Sequence, residues 1–457
     1  MGDEQLARAL GAWRRPDVPL ATALASAVRG AVLDGRVRSG SALPAERRIA
    51  AVLGVSRGTV TAALAALREG GWVLTRHGSA STLRLPPAAA ERIAPLSAGG
   101  EAGSIDLRRA VPAAPRAAYL AATARALERS APLLAEAGET GAGLPVLRSL
   151  IARRYTEQGL PTRPEQILVT SGARPALALL CAQLRPRTAV VEIPTYFDAL
   201  ALLRGAGARP AGCRVTGRGW DLDQLAAAFA AAEGQLAYLV PDFQNPTGAL
   251  MTAAARRTVA ELADRHRVTL VVDETMRELD LRDDPRPLPR IRRSVLIGSA
   301  GKAVWSGLRV GWIRASASLV AELGAHPLCA PLSAAPMQQL IAVELLTDPG
   351  AVLERRRAEL RRQRDHLSAL LDGDERWHFT VPPGGLALWL RLTTAHAETV
   401  TERAHAEGLS LSPGPRFAAD ATLARHLRVP FTPPPEVLDR IAEVLRGACG
   451  PVPRREA

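Results

Sequence analysis

Lys302 is the only lysine in a chain of 457 residues whose lysines and arginines together number 58. A lysine amine condenses with an aldehyde to form a Schiff base, which a permanently charged guanidinium does not do. A solvated surface lysine is the alternative interpretation. The neighbours favour chemistry, because Ser299 and Gly301 stand just before Lys302 and Arg309 just after it. Small, polar and cationic residues of this kind suit a phosphate group beside an amine.

Further candidate residues follow short apolar runs along the chain. Residues 171–173 (SGA) open a predicted helix, whose free backbone N–H groups can bind phosphate. Tyr196 follows a predicted strand and can stack on a flat ring, and Asn245 lies in a proline turn. Asp273 ends a predicted strand, where a carboxylate can keep a pyridinium nitrogen protonated and make the ring an electron sink. Taken singly, each of these residues is common in turns and caps.

Short β-branched runs alternate with Ala- and Leu-rich helical stretches from about residue 105 onwards. The runs are ILVT (167–170), TAVVEI (188–193), LAYLV (236–240), VTLVVD (268–273) and SVLIGS (294–299). This alternation predicts an α/β domain with a mainly parallel sheet and helices on both faces. After about residue 325 the pattern becomes mixed α+β, with LALWLRL (386–392) and HLRVPF (426–431) as predicted strands. In such sheets ligands bind at the strand ends, so we expect the candidate residues to converge there.

These motifs, in this order, resemble fold-type I pyridoxal-phosphate aminotransferases. The matching motifs are SGAxxAL, PTY, NPTG, a strand-end Asp and SxxK…GLRxGW, within residues 105–450. The resemblance implies that Lys302 forms the internal aldimine with pyridoxal phosphate and that Tyr196 stacks on the ring. Asn245 would bond the 3-oxygen of the ring, and Asp273 would face the ring nitrogen. Arg428 matches the arginine that grips a substrate α-carboxylate, for which a guanidinium fork is suited. The residues implied to hold the phosphate are Ser171, Gly172, Ala173, Ser299 and Arg309.

Residues 43–72 predict two amphipathic helices joined by a tight turn. The apolar residues placed to face a common core are Ile49, Leu53, Val60, Leu64 and Leu67. Between the helices, Gly54 can take a positive φ and Ser56 can cap the second helix. A short glycine turn between two helices is the signature of a helix-turn-helix. Residues 73–85 predict two short strands around a turn, a wing with Arg76 at its tip.

This run resembles the winged helix-turn-helix of GntR-type regulators, whose pattern LPSxRxLAxxLGVSRxTVxxAL is nearly reproduced. The resemblance implies that the second helix and the wing contact the phosphates and bases of a double-stranded DNA operator. The residues implied are Arg47, Ser56, Arg57, Thr59, Arg76 and Gly78. The alternative is an ordinary three-helix core with solvated arginines. Phosphate contacts fix register without encoding sequence, so the operator sequence is not predicted.

A GntR-type DNA reader ahead of an aminotransferase-like domain is the layout of the MocR family of bacterial regulators, which the chain resembles over nearly its whole length. We therefore predict an α+β winged helix-turn-helix over residues 1–85 and a Pro-, Ala-, Gly- and Ser-containing linker over 86–104. A pyridoxal-phosphate-binding domain is predicted over 105–450, with its small α+β lobe at about 325–450. The resemblance implies that this domain senses an amino compound, or pyridoxal phosphate itself. It would also form a homodimer that arranges two DNA readers.

Two departures from the aminotransferase pattern affect the expected activity. The tyrosine expected shortly after Asp273 is missing, with Thr275 and Met276 in its place. The tyrosine that aminotransferases often lend across the dimer is missing as well, with Glu139 about where it would fall. Both losses favour a sensor over an efficient enzyme, although the cofactor does much of the chemistry itself and residual half-reactions stay open.

Three hypotheses follow. The first is a regulator in which an amine displaces Lys302 from the cofactor and so changes DNA binding. The second is a working aminotransferase that carries a DNA-binding domain. The third, weaker one is a sensor without cofactor, against which the retained lysine argues. We favour the first, and turnover with an amino acid and a keto acid separates it from the second.

Composition adds a few bounds. The net charge of +13 suits a nucleic-acid partner, although a general arginine bias would raise the charge in the same way. The cysteines form no CxxC pair and the histidines show no HExxH-like spacing, so no metal and no disulfide framework are expected. No apolar run is long enough for a membrane span, and the N-terminus has no secretory signal pattern. The expected location is the cytoplasm.

Overall fold

The computed structural model describes residues 2–11, 13–14, 18–33, 37, 40–75, 81–84, 86, 104–135, 137–138, 140–216, 219–419 and 422–450. The chain divides into two compact units, Met1–Ala102 and Gly103–Ala457. Arg76 and Gly78, predicted at the tip of the wing, lie outside the described residues, as do Glu139 and nearly all of the predicted linker.

The described part of the first unit is a set of helices followed by an antiparallel hairpin. Its elements are α1 (Asp3–Leu10), α2 (Leu20–Leu33), α3 (Glu46–Leu53), α4 (Arg57–Glu69), β1 (Val73–Leu74) and β2 (Thr82–Leu83). The predicted turn between α3 and α4 is confirmed. Gly54 has a φ of +62°, and Ser56 Oγ accepts the backbone N–H of Thr59 at 3.1 Å. The five apolar residues predicted to face the core are buried in one cluster.

The second unit is built on a sheet of eight strands in its described part. These are β4 (Ile167–Thr170), β5 (Thr188–Ile193), β6 (Arg209–Thr216), β7 (Gly219–Trp220), β8 (Leu236–Leu239), β9 (Thr269–Asp273), β10 (Val295–Ser299) and β11 (Gly311–Arg314). The order is β4-β11-β10-β9-β8-β5-β6-β7. The central strands β10, β9, β8, β5 and β6 pair in parallel, whereas β11 is antiparallel to both of its neighbours. The sheet is therefore mainly parallel, as predicted.

Helices cover both faces of this sheet. They are α5 (Arg116–Glu128), α6 (Ala131–Leu134), α7 (Pro145–Glu157), α8 (Ala173–Leu184), α9 (Phe197–Gly205), α10 (Leu222–Ala231), α11 (Ala253–Arg265), α12 (Ala300–Ala303), α13 (Ala317–Ala325), α14 (Cys329–Leu332) and α15 (Pro336–Thr347). Successive residues of a strand enter different cores: Leu168 and Val191 pack in one, Val169 and Val190 in the other. Burial on both faces explains why these strands read as continuous apolar runs.

The small lobe combines helices with an antiparallel sheet. Its elements are α16 (Gly350–Leu371), β12 (Trp377–His378), β13 (Ala387–Leu392), α17 (Ala397–Ala406), β14 (Leu409–Ser410), β15 (Ser412–Pro413), β16 (His426–Pro430) and α18 (Pro435–Cys449). Strands β12, β13, β16 and β15 form the sheet in that order. The core of this lobe also takes in Leu107 from the beginning of the second unit. There, β3 (Ile105–Asp106) pairs in parallel with β14.

None of the helices within the described residues is singly long and apolar enough to cross a membrane. Helices α3 and α4 together reach the length and apolar composition of a membrane span, but they are bent at 117° to each other.

Candidate functional site

Lys302 lies on the short helix α12, directly after β10, and its side chain is half-buried. Ser299 starts this helix: its Oγ accepts the Gly301 N–H at 3.0 Å and donates to the Val310 carbonyl at 3.1 Å. Lys302 Nζ donates to the Ala110 carbonyl at 2.7 Å. Burial, and then the positive charge of Arg428, lower the pKa of Lys302 to about 8. A substantial fraction of this amine is therefore neutral, and hence nucleophilic, near physiological pH.

Asp273 is buried at the end of β9, and its negative charge acts on Lys302. Its Oδ1 accepts the backbone N–H of Thr275 at 2.8 Å, and its Oδ2 accepts the hydroxyl of Tyr238 at 2.6 Å. Tyr238 is a site residue that the sequence did not predict. It lies on β8, the parallel neighbour of β9, within a run that otherwise looks like ordinary apolar core. The carboxylate is thus held in one orientation by two donors.

The turn between β4 and α8 carries residues 171–173, as the sequence predicted. Gly172 has a φ of +126°, a conformation that favours glycine. A Cβ atom at Gly311 would lie 2.6 Å from the carbonyl carbon of Gly172, so glycine at 311 lets β11 pass against this turn. The hydroxyl of Ser171 donates to the Leu332 carbonyl at 3.1 Å. The turn therefore presents the N-terminal N–H groups of α8, a favourable place for an anion.

A buried carboxyl group joins the two loops that carry Tyr196 and Asn245. Glu192 accepts hydrogen bonds from Trp220 Nε1 at 2.8 Å, from the Val240 N–H at 3.0 Å and from Gln244 Nε2 at 2.9 Å. The same Gln244 nitrogen donates to the Pro194 carbonyl at 2.6 Å, just before Tyr196. Burial raises the pKa of Glu192 to about 7, against the opposing effect of these donors. Glu192, which the sequence did not single out, thus helps to position both loops.

Arg428 lies on β16 and is 2% exposed. Its Nη2 donates to the Arg108 carbonyl at 2.6 Å, and its Nη1 lies 3.4 Å from Asn245 Oδ1. The guanidinium also stands over the Phe417 ring, 4.9 Å from its centroid. Its buried Nε has no hydrogen-bond partner among the described residues. Burial lowers the pKa of Arg428 to about 10.

Four of the predicted residues, Lys302, Asp273, Tyr196 and Arg428, come together as one cluster, and Asn245 lies beside Arg428. The charges of Arg428 and Asp273 shift the pKa of Lys302, and the charge of Asp273 also shifts that of Tyr196. The Tyr196 phenol in turn affects the pKa of Arg428. Tyr196 itself donates to Asp198 Oδ2 at 2.7 Å, and burial, together with the Asp198 carboxylate, raises the pKa of Tyr196. Arg309, with φ +56°, is exposed just beyond Lys302.

These groups fit the chemistry of pyridoxal phosphate. A half-buried amine of lowered pKa suits an aldehyde, and a strand-end carboxylate held by two donors suits a pyridine nitrogen. The open helix start at residues 171–173 suits a phosphate. Met276 stands where a tyrosine is expected after Asp273, and its side chain is buried in the apolar core of the small lobe.

Of the predicted DNA-contacting residues that the structure describes, Ser56, Arg57 and Thr59 lie at the start of α4, and Arg47 lies in the first turn of α3. Arg47 and Arg57 are exposed. The hydroxyls of Ser56 and Thr59 are 2.8 Å apart, so each has a partner within the helix start. Among the predicted contact residues that the structure describes, Arg47 and Arg57 are therefore the cations available to DNA phosphates.

Comparison with known proteins identifies both units. Residues 106–445 match the family described as "Aminotransferase class I and II", and residues 20–83 match "Bacterial regulatory proteins, gntR family". The "Probable rhizopine catabolism regulatory protein MocR" of Rhizobium meliloti is 28% identical, over 88% of this chain and 87% of its own. The "Uncharacterized HTH-type transcriptional regulator YisV" of Bacillus subtilis is 25% identical, over 82% and 85% respectively.

Among solved structures, the chain is similar to LysN, the alpha-aminoadipate aminotransferase of Thermus thermophilus, complexed with N-(5'-phosphopyridoxyl)-L-leucine. The TM-score is 0.69 with 26% identity, covering 76% of this chain and 93% of LysN. The chain belongs to the aminotransferase class I and II family. With a gntR-type DNA-binding domain ahead of that fold, it is a regulator of the MocR type.

Proposed function

We propose that this chain is a transcription regulator that binds operator DNA through its first unit and senses an amino compound through pyridoxal phosphate in its second. When bound, pyridoxal phosphate supplies an aldehyde for amines and a ring that accepts electrons. Lys302 would hold it through a Schiff base until an amine takes that place. Asp273 would face the ring nitrogen, Tyr196 would stack on the ring and Asn245 would bond the 3-oxygen. Ser171, Gly172, Ala173, Ser299 and Arg309 would hold the phosphate.

The observation that carries this proposal is a pair of neighbouring cations, the half-buried Lys302 and the fully buried Arg428. No carboxylate of the described residues lies within salt-bridge distance of Arg428. Asp198, whose charge does act on it, lies 3.7 Å from Arg174 instead. A buried cation without a counter-ion is costly, and a ligand carboxylate would offset that cost. An amino acid brings an amine and a carboxylate at the separation of one carbon, which suits an amine-exchanging site beside a guanidinium. Pyridoxal phosphate alone is the other effector that the site would accept.

Sensing rather than turnover is favoured by Thr275 and Met276, which stand where a tyrosine is expected after Asp273 and carry no phenol. Met276 is buried in the core of the small lobe and has no group to donate to the cofactor's 3-oxygen. Tyr238 has a phenol close to Asp273, but its hydroxyl donates to the Asp273 carboxylate rather than toward a cofactor oxygen. Loss of a donor that acts mainly in the transition state lowers the rate more than it weakens binding. An active aminotransferase is the competing function, which the similarity to LysN supports. Turnover with an amino acid and a keto acid would identify it.

A homodimer is part of the proposal because α5 and its surroundings expose large apolar side chains. Leu120, Leu127 and Leu134 are 57%, 65% and 76% exposed. Leu120 and Leu127 are seven residues apart and so lie on one face of α5. Several such side chains in one region mark an interaction surface more often than a solvated one. A second copy would cover this face and bring two DNA readers together.

Two single variants test the division of labour between the units. Arg57→Ala should weaken binding of a selected operator duplex by roughly tenfold or more and reduce its salt dependence, because a phosphate or base contact is lost. The pyridoxal-phosphate absorption should stay as in the wild type. Lys302→Ala should abolish the Schiff-base absorption band while the first unit still binds DNA.

Arg267→Ala is a control matched in charge, since Arg267 is an exposed arginine of the second unit. It should leave both readouts unchanged. Equal DNA affinity of Arg57→Ala and wild type would refute the assignment of the recognition helix. A Schiff-base band that survives in Lys302→Ala would refute the assignment of the site.

A further inference from the structure

The first segment of the second unit, residues 105–113, runs across the site and is called the strap below. Both cations of the site donate to its backbone. Arg428 Nη2 lies 2.6 Å from the Arg108 carbonyl oxygen, and Lys302 Nζ lies 2.7 Å from that of Ala110. Two residues of one segment thus occupy the two side chains proposed to take a ligand's carboxylate and the cofactor's aldehyde.

The strap is anchored on either side of these contacts. At its beginning β3 pairs with β14, and the Leu107 N–H donates to the Ser410 carbonyl at 2.8 Å. At its end, the Ala113 carbonyl accepts from Arg356. Between the anchors, Ser412 Oγ also points to the Arg108 carbonyl, at 3.4 Å, a marginal hydrogen bond. The middle of the strap is therefore held by hydrogen bonds from the two site cations and by the packing of Ala110, which is buried in the core of the small lobe.

A carboxylate at Arg428 would compete with the strap for the same guanidinium edge. Two parallel bonds to a carboxylate use either the two terminal nitrogens or Nε with Nη2, and both pairs include Nη2. Nη2 at present donates to Arg108, and the buried Nε beside it lacks a partner among the described residues. A carboxylate oxygen brought to this edge would meet the Arg108 carbonyl oxygen, and two acceptors repel each other. Charge favours the carboxylate.

The strap is also the part of the second unit that follows directly on the first, which ends at residue 102. We propose that a ligand carboxylate at Arg428 displaces the Arg108 carbonyl and loosens the strap, so that occupancy of the site reaches the DNA-binding unit through the chain itself. This rests on the proposed function and adds a route for its regulation. It also restricts the effective ligands to amines that carry a carboxylate.

Two ligands that differ only in the carboxylate provide the test. They are N-(5'-phosphopyridoxyl)-L-leucine and N-(5'-phosphopyridoxyl)-3-methylbutylamine, each added to the cofactor-free full chain until its absorption shows saturation. Both leave the Lys302 amine unmodified, so they isolate Arg428. Hydrogen exchange of peptides covering residues 104–113 is then followed by mass spectrometry.

The carboxylate ligand should speed exchange in the strap by roughly tenfold or more relative to its partner, because a hydrogen bond to a charged group is lost. Ser412→Ala, which removes only the marginal donor to the Arg108 carbonyl, is the control and should leave exchange in the ligand-free strap within about twofold of wild type. Equal or slower exchange with the carboxylate ligand would overturn the proposal.

Transmission to DNA is read with an operator duplex selected from a random pool by the full chain. The carboxylate ligand should change operator affinity at least about threefold more than its partner. Inserting a flexible Gly-Ser-Gly-Ser segment between Ala102 and Gly103 should remove that difference while faster strap exchange persists. An unchanged difference in the insertion variant would overturn the proposed route. Failure of the proposed function would show separately, as the lack of a Lys302-dependent absorption band with pyridoxal phosphate.

Discussion

Arg428→Met removes a buried guanidinium that the proposed function assigns to ligand binding rather than to folding. The wild-type side chain is 2% exposed and has a neutral carbonyl oxygen, not a carboxylate, as its short-range partner. Methionine fills a similar volume without charge. The variant therefore asks whether the arginine stabilises the ligand-free protein or is kept for a ligand.

The structure gives a magnitude for each side of this balance. Burial lowers the pKa of Arg428 to about 10. This pKa lies about 2.5 units below the usual arginine value of 12.5. Since each pKa unit corresponds to about 1.4 kcal/mol, burial disfavours the charged side chain by about 3.5 kcal/mol. The hydrogen bond to Arg108 contributes in the opposite direction, by about 1.5 to 3 kcal/mol for a charged donor. The two effects oppose each other and leave a difference of about 0.5 to 2 kcal/mol, so we expect Arg428→Met to change the free energy of unfolding by no more than about 2 kcal/mol.

Arg256→Met is the matched control, because Arg256 is equally buried at 2% exposure. Arg256 pairs with the buried Asp242 at 2.7 Å and donates to the Met251 carbonyl at 2.9 Å. Its removal leaves a buried carboxylate with Arg277 as its other charged partner. Breaking such a pair should lower the free energy of unfolding by about 3 kcal/mol or more.

The assay is urea unfolding of both variants with pyridoxal phosphate bound, followed by tryptophan fluorescence. In parallel, Arg428→Met should lose most of the preference for the phosphopyridoxyl ligand with a carboxylate over the one without it. A loss of stability as large as that of Arg256→Met, with ligand preference retained, would refute the reasoning. Arg428 would then be a structural residue.

Three further predictions concern the amine, the phosphate turn and the dimer. Because burial lowers the pKa of Lys302 to about 8, pyridoxal-phosphate incorporation should accelerate with rising pH and reach half its maximal initial rate near pH 8; a midpoint beyond pH 10 would contradict this. Gly311→Ala should weaken pyridoxal-phosphate affinity by roughly tenfold, since a new Cβ would meet the Gly172 backbone, whereas Gly324→Ala, with open space around it, should bind normally in the same fluorescence titration. Leu127→Glu should halve the mass seen by light scattering, while Val381→Glu, at a comparably exposed apolar position of the small lobe, should not; an unchanged mass for both would reject α5 as the dimer face.

Much of the second unit could be predicted from the sequence because its central strands are buried on both faces. ILVT and TAVVEI became β4 and β5 with the predicted bounds. Strand β11 was not predicted, since GWIR is short, begins with glycine and follows a Gly-containing turn. Its antiparallel pairing depends on a tertiary contact, the close approach to Gly172, that no local pattern encodes.

The site shows the same division between local pattern and tertiary contact. Residues set by motif spacing, such as Lys302 and Asp273, could be named from the sequence. Tyr238 could not, because its bond to Asp273 requires knowing that β8 and β9 are neighbours and in which register. The strap contacts use backbone carbonyls, which every residue has, so side-chain identity gives no signal for them.

The measurement that tests the central claim most directly is a titration of the pyridoxal-phosphate-loaded full chain with a panel of amino acids, with the visible spectrum and operator binding recorded together. The account predicts an absorption band that is absent from Lys302→Ala, shifts with one class of amino acid and then holds, while operator affinity changes over the same concentrations. Conversion to the pyridoxamine form, reversed by a keto acid and without change in operator affinity, would contradict the account and identify a working aminotransferase.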